Sequence, residues 1–189
     1  MKFPGILTSK LPKVGTTIFT VMSQLAKQHN ALNLSQGFPD FKTSDELNKL
    51  VFKYMQSGYN QYAPMQGVPE LREAIAMKME RLYNIKYQPE TEITITAGAT
   101  QAIFTAIAAL INEGDEVMIF TPAYDCYTPA VEIFGGNPVY VQLHAPEYRI
   151  NWEEVKKLYN RKVKLIIINT PHNPTGAILS AQDMMKLEK

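Results

Sequence analysis

Cysteine is nearly absent. Cys126 stands alone, so no intrachain disulfide can staple the fold, which fits a reducing compartment. Long apolar runs are missing as well: no stretch approaches the roughly 20 apolar residues of a membrane span. Pro4, Gly5 and Pro12 interrupt the N-terminus where a secretion signal needs an unbroken apolar core, and a cytoplasmic location is the expectation. No charge dominates, since 19 lysines and arginines against 18 acidic residues leave +1. That balance gives no electrostatic reason for nucleic-acid or membrane partners and leaves small neutral or zwitterionic ligands open. The glycine fingerprints of dinucleotide and P-loop sites do not occur, which speaks against a nucleotide-binding protein. The three histidines show no metal spacing, and there is no internal repeat or low-complexity tract.

What is present supports a folded domain: 189 residues with 46% hydrophobic content are enough for a real core. From about Thr16 to Asn30, Ile18, Met22, Leu25 and Ala26 recur at helical spacing. A second helix begins in "TSDELNKLVFKYM", where Thr43 or Ser44 can cap and acidic residues fill the first turn. A third follows in "PELREAIAMKMERLYN", with Pro69 in its first turn. The rhythm then changes. "EITITAG" reads as a strand, "ATQAIFTAIAALI" as a largely buried helix, "DEVMIF" as a strand, "YTPAVEIFG" as a helix and "NPVYVQL" as a strand. "NWEEVKKLYN" then reads as an amphipathic helix, "VKLIIIN" as a strand, and "SAQDMMKLEK" as the opening of another helix. Such alternation predicts an α/β fold with a mostly parallel sheet covered on both faces, whose ligand sites lie at the C-terminal strand ends.

The unusual motifs fall at those ends. In "TAGATQ", Gly98 permits a tight turn, and the amides of Ala99, Thr100 and Gln101 would face outward at a helix start, a geometry suited to phosphate or simply to a strand-to-helix turn. In "TPAYDCY", the Tyr124 ring can lie against a ligand ring or pack on the rim; Asp125 and Tyr127 are polar neighbours, and Cys126 has no base fixed near it and reads as an unreactive thiol. In "NTPHNPTG", Asn173 offers an amide donor on a backbone fixed by Pro174. His172 can be a base, a ligand or a loop residue that faces solvent or bonds to backbone, and Asn169 reads as a loop-stabilising group.

Taken in order, "SQGFPDF", "YNQYAPMQG", "TAGATQAIF", "TPAYDCY" and "NTPHNPTG" resemble the N-terminal half of the class I and II aminotransferases, which are fold-type I pyridoxal-phosphate enzymes. The wording "PHNPTG" and "DCY" resembles the subgroup of methionine and kynurenine aminotransferases (glutamine transaminase K). The resemblance implies an incomplete large domain preceded by an N-terminal helical arm: residues 1–40 as the arm and part of a small domain, 41–189 as the first part of the cofactor domain. It implies pyridoxal 5'-phosphate held by Ala99 and Thr100 at its phosphate, Tyr124 on its ring and Asn173 at its phenolic oxygen. Gly37 would line the substrate carboxylate, and Tyr62 would reach the phosphate of the partner subunit's cofactor in a homodimer. The implied reaction moves an amino group from methionine, glutamine or an aromatic amino acid to a 2-oxo acid. A cysteine-conjugate β-lyase of the same fold, or a non-catalytic cofactor-binding module, is the alternative.

That chemistry also needs a Schiff-base lysine, a carboxylate for the pyridinium nitrogen and an arginine for the substrate, and no residue of this chain fills these roles by the resemblance. Lys164 abuts an apolar strand at its wrong end. The expectation is therefore a truncated chain, or one whose other half is a separate polypeptide, inactive alone, with an open sheet edge and uncovered apolar surface. Thr121–Pro122 and Asn173–Pro174 are expected to be cis.

Overall fold

The computed structural model describes residues 8–37, 39 and 41–188. The chain divides into two compact units, one running from Gly98 onward and including residues up to Thr17, the other Ile18–Ala97. The expected boundary after residue 40 falls inside the second of these.

The sheet unit is built on three parallel strands, β1 (Glu116–Thr121), β2 (Asn137–Gln142) and β3 (Val163–Ile167), in the order β2-β1-β3. All three match the strands read from the sequence. The central strand alternates between two cores. Val117 and Ile119 join Ile107 and Ile111, Tyr127, Ala130 and Val131 on one face, while Met118 and Phe120 join Val141, Leu143, Trp152 and Val155 on the other. A strand buried on both faces must be apolar throughout, which "VMIF" is. Helices cover both faces because successive crossovers pass on opposite sides: α6 (Tyr127–Ile133) belongs to the first core, α7 (Trp152–Leu158) to the second. In β3 the pairing shifts register between Glu116 and Val117, which places Lys164 at an irregularity. Val163 then joins the second core together with Ile166, although Leu165 and Ile167 face the first.

Helix ends in this unit follow local chemistry. The Asn151 side chain accepts from the amides of Glu153 and Glu154 to start α7. Ser180 and Asp183 cap α8 (Ala181–Glu188) reciprocally, with Asp183 N–H donating to Ser180 Oγ at 3.1 Å and Ser180 N–H to Asp183 Oδ2 at 2.9 Å. Asp183 Oδ1 also accepts from Trp152 Nε1 at 2.8 Å, which fastens α8 to α7.

Two expectations need correction. "EITITAG" forms no strand: its ladder partners are lacking among the described residues, and β propensity without a partner makes no sheet. Instead Ile95 N–H donates to Gln66 O at 2.9 Å, a loop-to-loop bond. The helix that follows, α5 (Ala99–Leu110), is not largely buried. Ile107 is its only buried residue, with Ile103 one turn earlier packed on the same core, while Phe104 and Leu110 are exposed. An apolar helix needs cover on several sides, and this one meets the sheet along one stripe.

The other unit is helical: α1 (Ile18–Gln28), α2 (Asp45–Gln56), α3 (Pro69–Tyr83) and the single turn α4 (Pro89–Glu92). Ser44 caps α2 through Leu47 N–H, Pro69 opens α3, and Asn84 closes α3 in the left-handed conformation at φ 55°. Among the described residues, no helix is long and apolar enough to cross a membrane.

Candidate functional site

The topology selects one crevice. From the central strand the chain leaves β1 for one neighbour and reaches the other, β3, by the opposite face, so the gap between the C-terminal ends of β1 and β3 is where a doubly wound sheet opens to a ligand. Ile119 pairs with Ile167, so the loops starting at Thr121 and at Ile168 leave side by side. They are "TPAYDCY" and "NTPHNPTG". Thr121–Pro122 and Asn173–Pro174 are cis as expected, and Thr170–Pro171 is cis as well.

Tyr124 lies half-buried on the first core, its ring 5.9 Å from that of Tyr127 in an edge-to-face pair at 64°. The Tyr127 hydroxyl accepts from Asn169 Nδ2 at 3.3 Å, a bond that ties the loop after β1 to the end of β3. Burial first, then the neighbouring Cys126, pushes the Tyr127 hydroxyl above its usual pKa, with Asn169 partly offsetting. Burial likewise raises the Cys126 thiol, with Asp125 adding to it, so the thiolate that a nucleophile needs is disfavoured.

The start of α5 reaches the same neighbourhood. Thr100 and Phe104 share an apolar hollow with Cys126, Pro129, Ala130, Ile133 and Leu11. Gly98 precedes the helix at φ 87° and ψ 168°, a conformation open only to glycine at low cost, and as the N-cap residue it has no side chain with which to cap the helix. A Cβ there would meet nothing within 4 Å. A helix N-terminus opened by glycine, sharing a hollow with the loop after β1 that carries Tyr124, is chemistry suited to an anionic group next to a flat ring.

His172 is neither exposed nor in a metal cluster. It is buried at 8% exposure, with Nδ1 2.8 Å from Thr175 Oγ1. Its neighbour Asn173 is exposed. Burial holds the His172 pKa below the ordinary histidine value, and the nearby Phe120 carbonyl partly offsets this by favouring a ring proton. Sequence reasoning missed Thr175 and the Tyr127–Asn169 bond. The first had the signal of a hydroxyl three residues from a histidine in a turn; the second joins residues 42 apart and had none. Gly37 and Tyr62 lie in the helical unit, both exposed, Tyr62 completely. Every lysine among the described residues is exposed, and Lys164 sits at the N-terminal end of β3, opposite the crevice.

A doubly wound sheet with a glycine-led helix start and a half-buried aromatic ring beside its switch point defines an α/β protein of the kind that takes ligands at its C-terminal strand ends. The family model for class I and II aminotransferases matches residues 29–189, and the chain belongs to that family, whose members are pyridoxal-phosphate dependent. It is 49% identical over 184 residues to methionine aminotransferase from Escherichia coli, covering 97% of this chain and 48% of that protein; the crystal structure of that enzyme superposes with a TM-score of 0.94. N-succinyldiaminopimelate aminotransferase from Mycobacterium tuberculosis superposes at 0.90 with 37% identity, covering 96% of this chain and 48% of that one. Human kynurenine--oxoglutarate transaminase 3 is 34% identical, covering 93% of this chain and 41% of its own length. The chain thus spans about half the length of the curated relatives it matches.

Proposed function

We propose that this chain forms the cofactor cup of an aminotransferase that moves an amino group between methionine, glutamine or an aromatic amino acid and a 2-oxo acid. What supports this reading is that the α5 start shares a hollow with the loop after β1, and that Asn169, at the base of the loop bearing Asn173, is bonded to Tyr127 beside Tyr124. The 49% identity to a methionine aminotransferase supports the donor class.

In this assignment the amides of Ala99 and Thr100 take the phosphate of pyridoxal 5'-phosphate, with the positive end of a 12-residue helix behind them. Tyr124 presents its ring to the pyridine face, and the Asn173 amide donates to the phenolic oxygen. When bound, pyridoxal phosphate supplies an electron sink for cleaving a bond at the amino acid's α-carbon. Gly37 borders the substrate carboxylate, and Tyr62 of the partner subunit completes the phosphate site in a homodimer, in keeping with its full exposure here. No described lysine lines the hollows at the α5 start or behind the loop after β3, so this reading gives none of them the part of proton carrier or covalent anchor.

The test is an absorbance titration of the 189-residue chain with pyridoxal phosphate, beside Tyr124→Ala, paired with a transamination assay on the polypeptide as cells make it. Saturable uptake weakened about three- to tenfold in the variant, with turnover of methionine and a 2-oxo acid, is expected. A chain that takes up none, or a Tyr124→Ala chain that binds as well, contradicts the assignment.

A further inference from the structure

Among the described residues of the sheet unit, the buried polar side chain left without a part in this function is His172, and the geometry points to a positioning residue. We infer that the His172 ring, fastened to Thr175 and set against the end of β1, pegs the Asn173 loop to the strand that leads into the Tyr124 loop, and so sets where Asn173 presents its amide. The inference rests on the proposed cofactor site.

Four features carry it. The ring is buried among apolar side chains, lining a small hollow with Phe120, Leu143, Ile168 and Leu179. In such surroundings a neutral ring with both nitrogens matched is favoured, and Thr175 Oγ1 at 2.8 Å from Nδ1 and the Phe120 carbonyl are the two polar partners at hand. The main chain of His172 closes the loop on both sides: its N–H donates to Ala177 O at 2.8 Å, and its carbonyl accepts from Gly176 N–H at 2.6 Å. Thr175 Oγ1 also accepts from Ala177 N–H at 3.3 Å, so the hydroxyl that holds the ring holds the turn. Asn173, exposed and next in sequence, has no such hold of its own and takes its place from this peg.

Loop and cofactor are tested separately. Amide hydrogen exchange on the 189-residue chain is compared for wild type, His172→Ala, Thr175→Val and Thr175→Ser. Exchange at Gly176 and Ala177 should accelerate about tenfold or more in the first two variants and stay near wild type in Thr175→Ser, with the β1 and α7 amides unchanged. Pyridoxal phosphate titrations of the same chains should show affinity about fivefold to tenfold weaker in Thr175→Val and recovered in Thr175→Ser. Unchanged exchange in Thr175→Val and His172→Ala overturns the peg. Faster exchange with unchanged affinity, while Tyr124→Ala weakens binding, overturns the positioning role and leaves the cofactor site standing. Wild type that takes up no pyridoxal phosphate sinks the cofactor site instead, and the exchange data alone then decide on the peg. Should His172→Ala fail to fold, the two Thr175 variants decide the matter.

Discussion

The sheet unit and the helical unit differ less in sequence than in burial. The first hides Val117, Met118, Ile119, Val131 and Val141 completely, whereas among the described residues of Ile18–Ala97 the only buried one is Arg72. Leu47, Val51, Phe52, Tyr59 and Met65 are each more than half exposed. Arg72 is itself held by main chain, its Nη1 donating to Pro89 O at 2.9 Å, while its Nε finds no partner. Both units have amphipathic helices with sound caps. An apolar stripe makes a helix in either place, but it stabilises the fold only where a second surface covers it. In the sheet unit β1 provides two such surfaces; among its described residues the helical unit buries no apolar side chain.

The largest expected effect separates the units directly. Ile119→Ala should destabilise the sheet unit by about 3–5 kcal/mol, since a fully buried isoleucine leaves a cavity, whereas Phe52→Ala should cost no more than about 0.5–1 kcal/mol. Trp152 is the only tryptophan and is buried in the sheet unit, so its fluorescence in urea reads Ile119→Ala, while far-ultraviolet circular dichroism, to which the helices of both units contribute, reads Phe52→Ala. A Phe52→Ala midpoint shifted as far as that of Ile119→Ala would break the contrast.

A glycine from each unit gives the next effect. At Gly67, φ is +97° and an added Cβ would lie 2.3 Å from Ile95 Cγ1; at Gly176, φ is +74° and nothing lies within 4 Å. Gly67→Ala should therefore cost about 2–3 kcal/mol of local stability and Gly176→Ala about 1. Protease nicking near residue 67 that does not exceed nicking near 176 would contradict this order. It also asks whether the helical unit, without a core, still has one well-packed loop.

Asp183 comes third. Its bonds to Ser180, then to Trp152, hold its carboxyl below the usual carboxylate range. With the folded pKa depressed, the native state binds fewer protons than the unfolded chain, so this stabilisation is present above the ordinary value and is lost as pH falls through the folded one. Asp183→Ala should cost about 1–2 kcal/mol near neutrality, and Asp183→Asn should flatten the acid limb of the stability profile. An unchanged acid limb would show that α8 is not held through this carboxylate. The smallest effect is Tyr127→Phe, about 0.5–1 kcal/mol for the lost Asn169 bond, read by the same fluorescence.

What could be read from the sequence follows the same division. Elements with a clear period and a chemical boundary were legible: Ser44 before α2, Pro69 opening α3, and the apolar runs of β1 and β3. "EITITAG" carried a strand's pattern and formed none, because a ladder depends on a partner that local sequence does not name. The composition of α5 was that of a buried helix, but composition states what a helix needs and not what surrounds it. The site was legible as far as strand ends predict it, which placed Tyr124 and Asn173 in neighbouring loops. The links that hold those loops, Asn169 to Tyr127 and Thr175 to His172, depend on how the loops fold back, and that is set by the sheet register.

The central claim is that the sheet unit by itself presents the cofactor cup. The most direct measurement is an amide nitrogen–proton correlation spectrum of the 189-residue chain during addition of pyridoxal phosphate. The account predicts that the largest shifts fall on Ala99, Thr100, Tyr124 and Asn173, with the amides of Asp45–Gln56 and Pro69–Tyr83 unmoved. Shifts concentrated in those helices, or none at the α5 start, would contradict it.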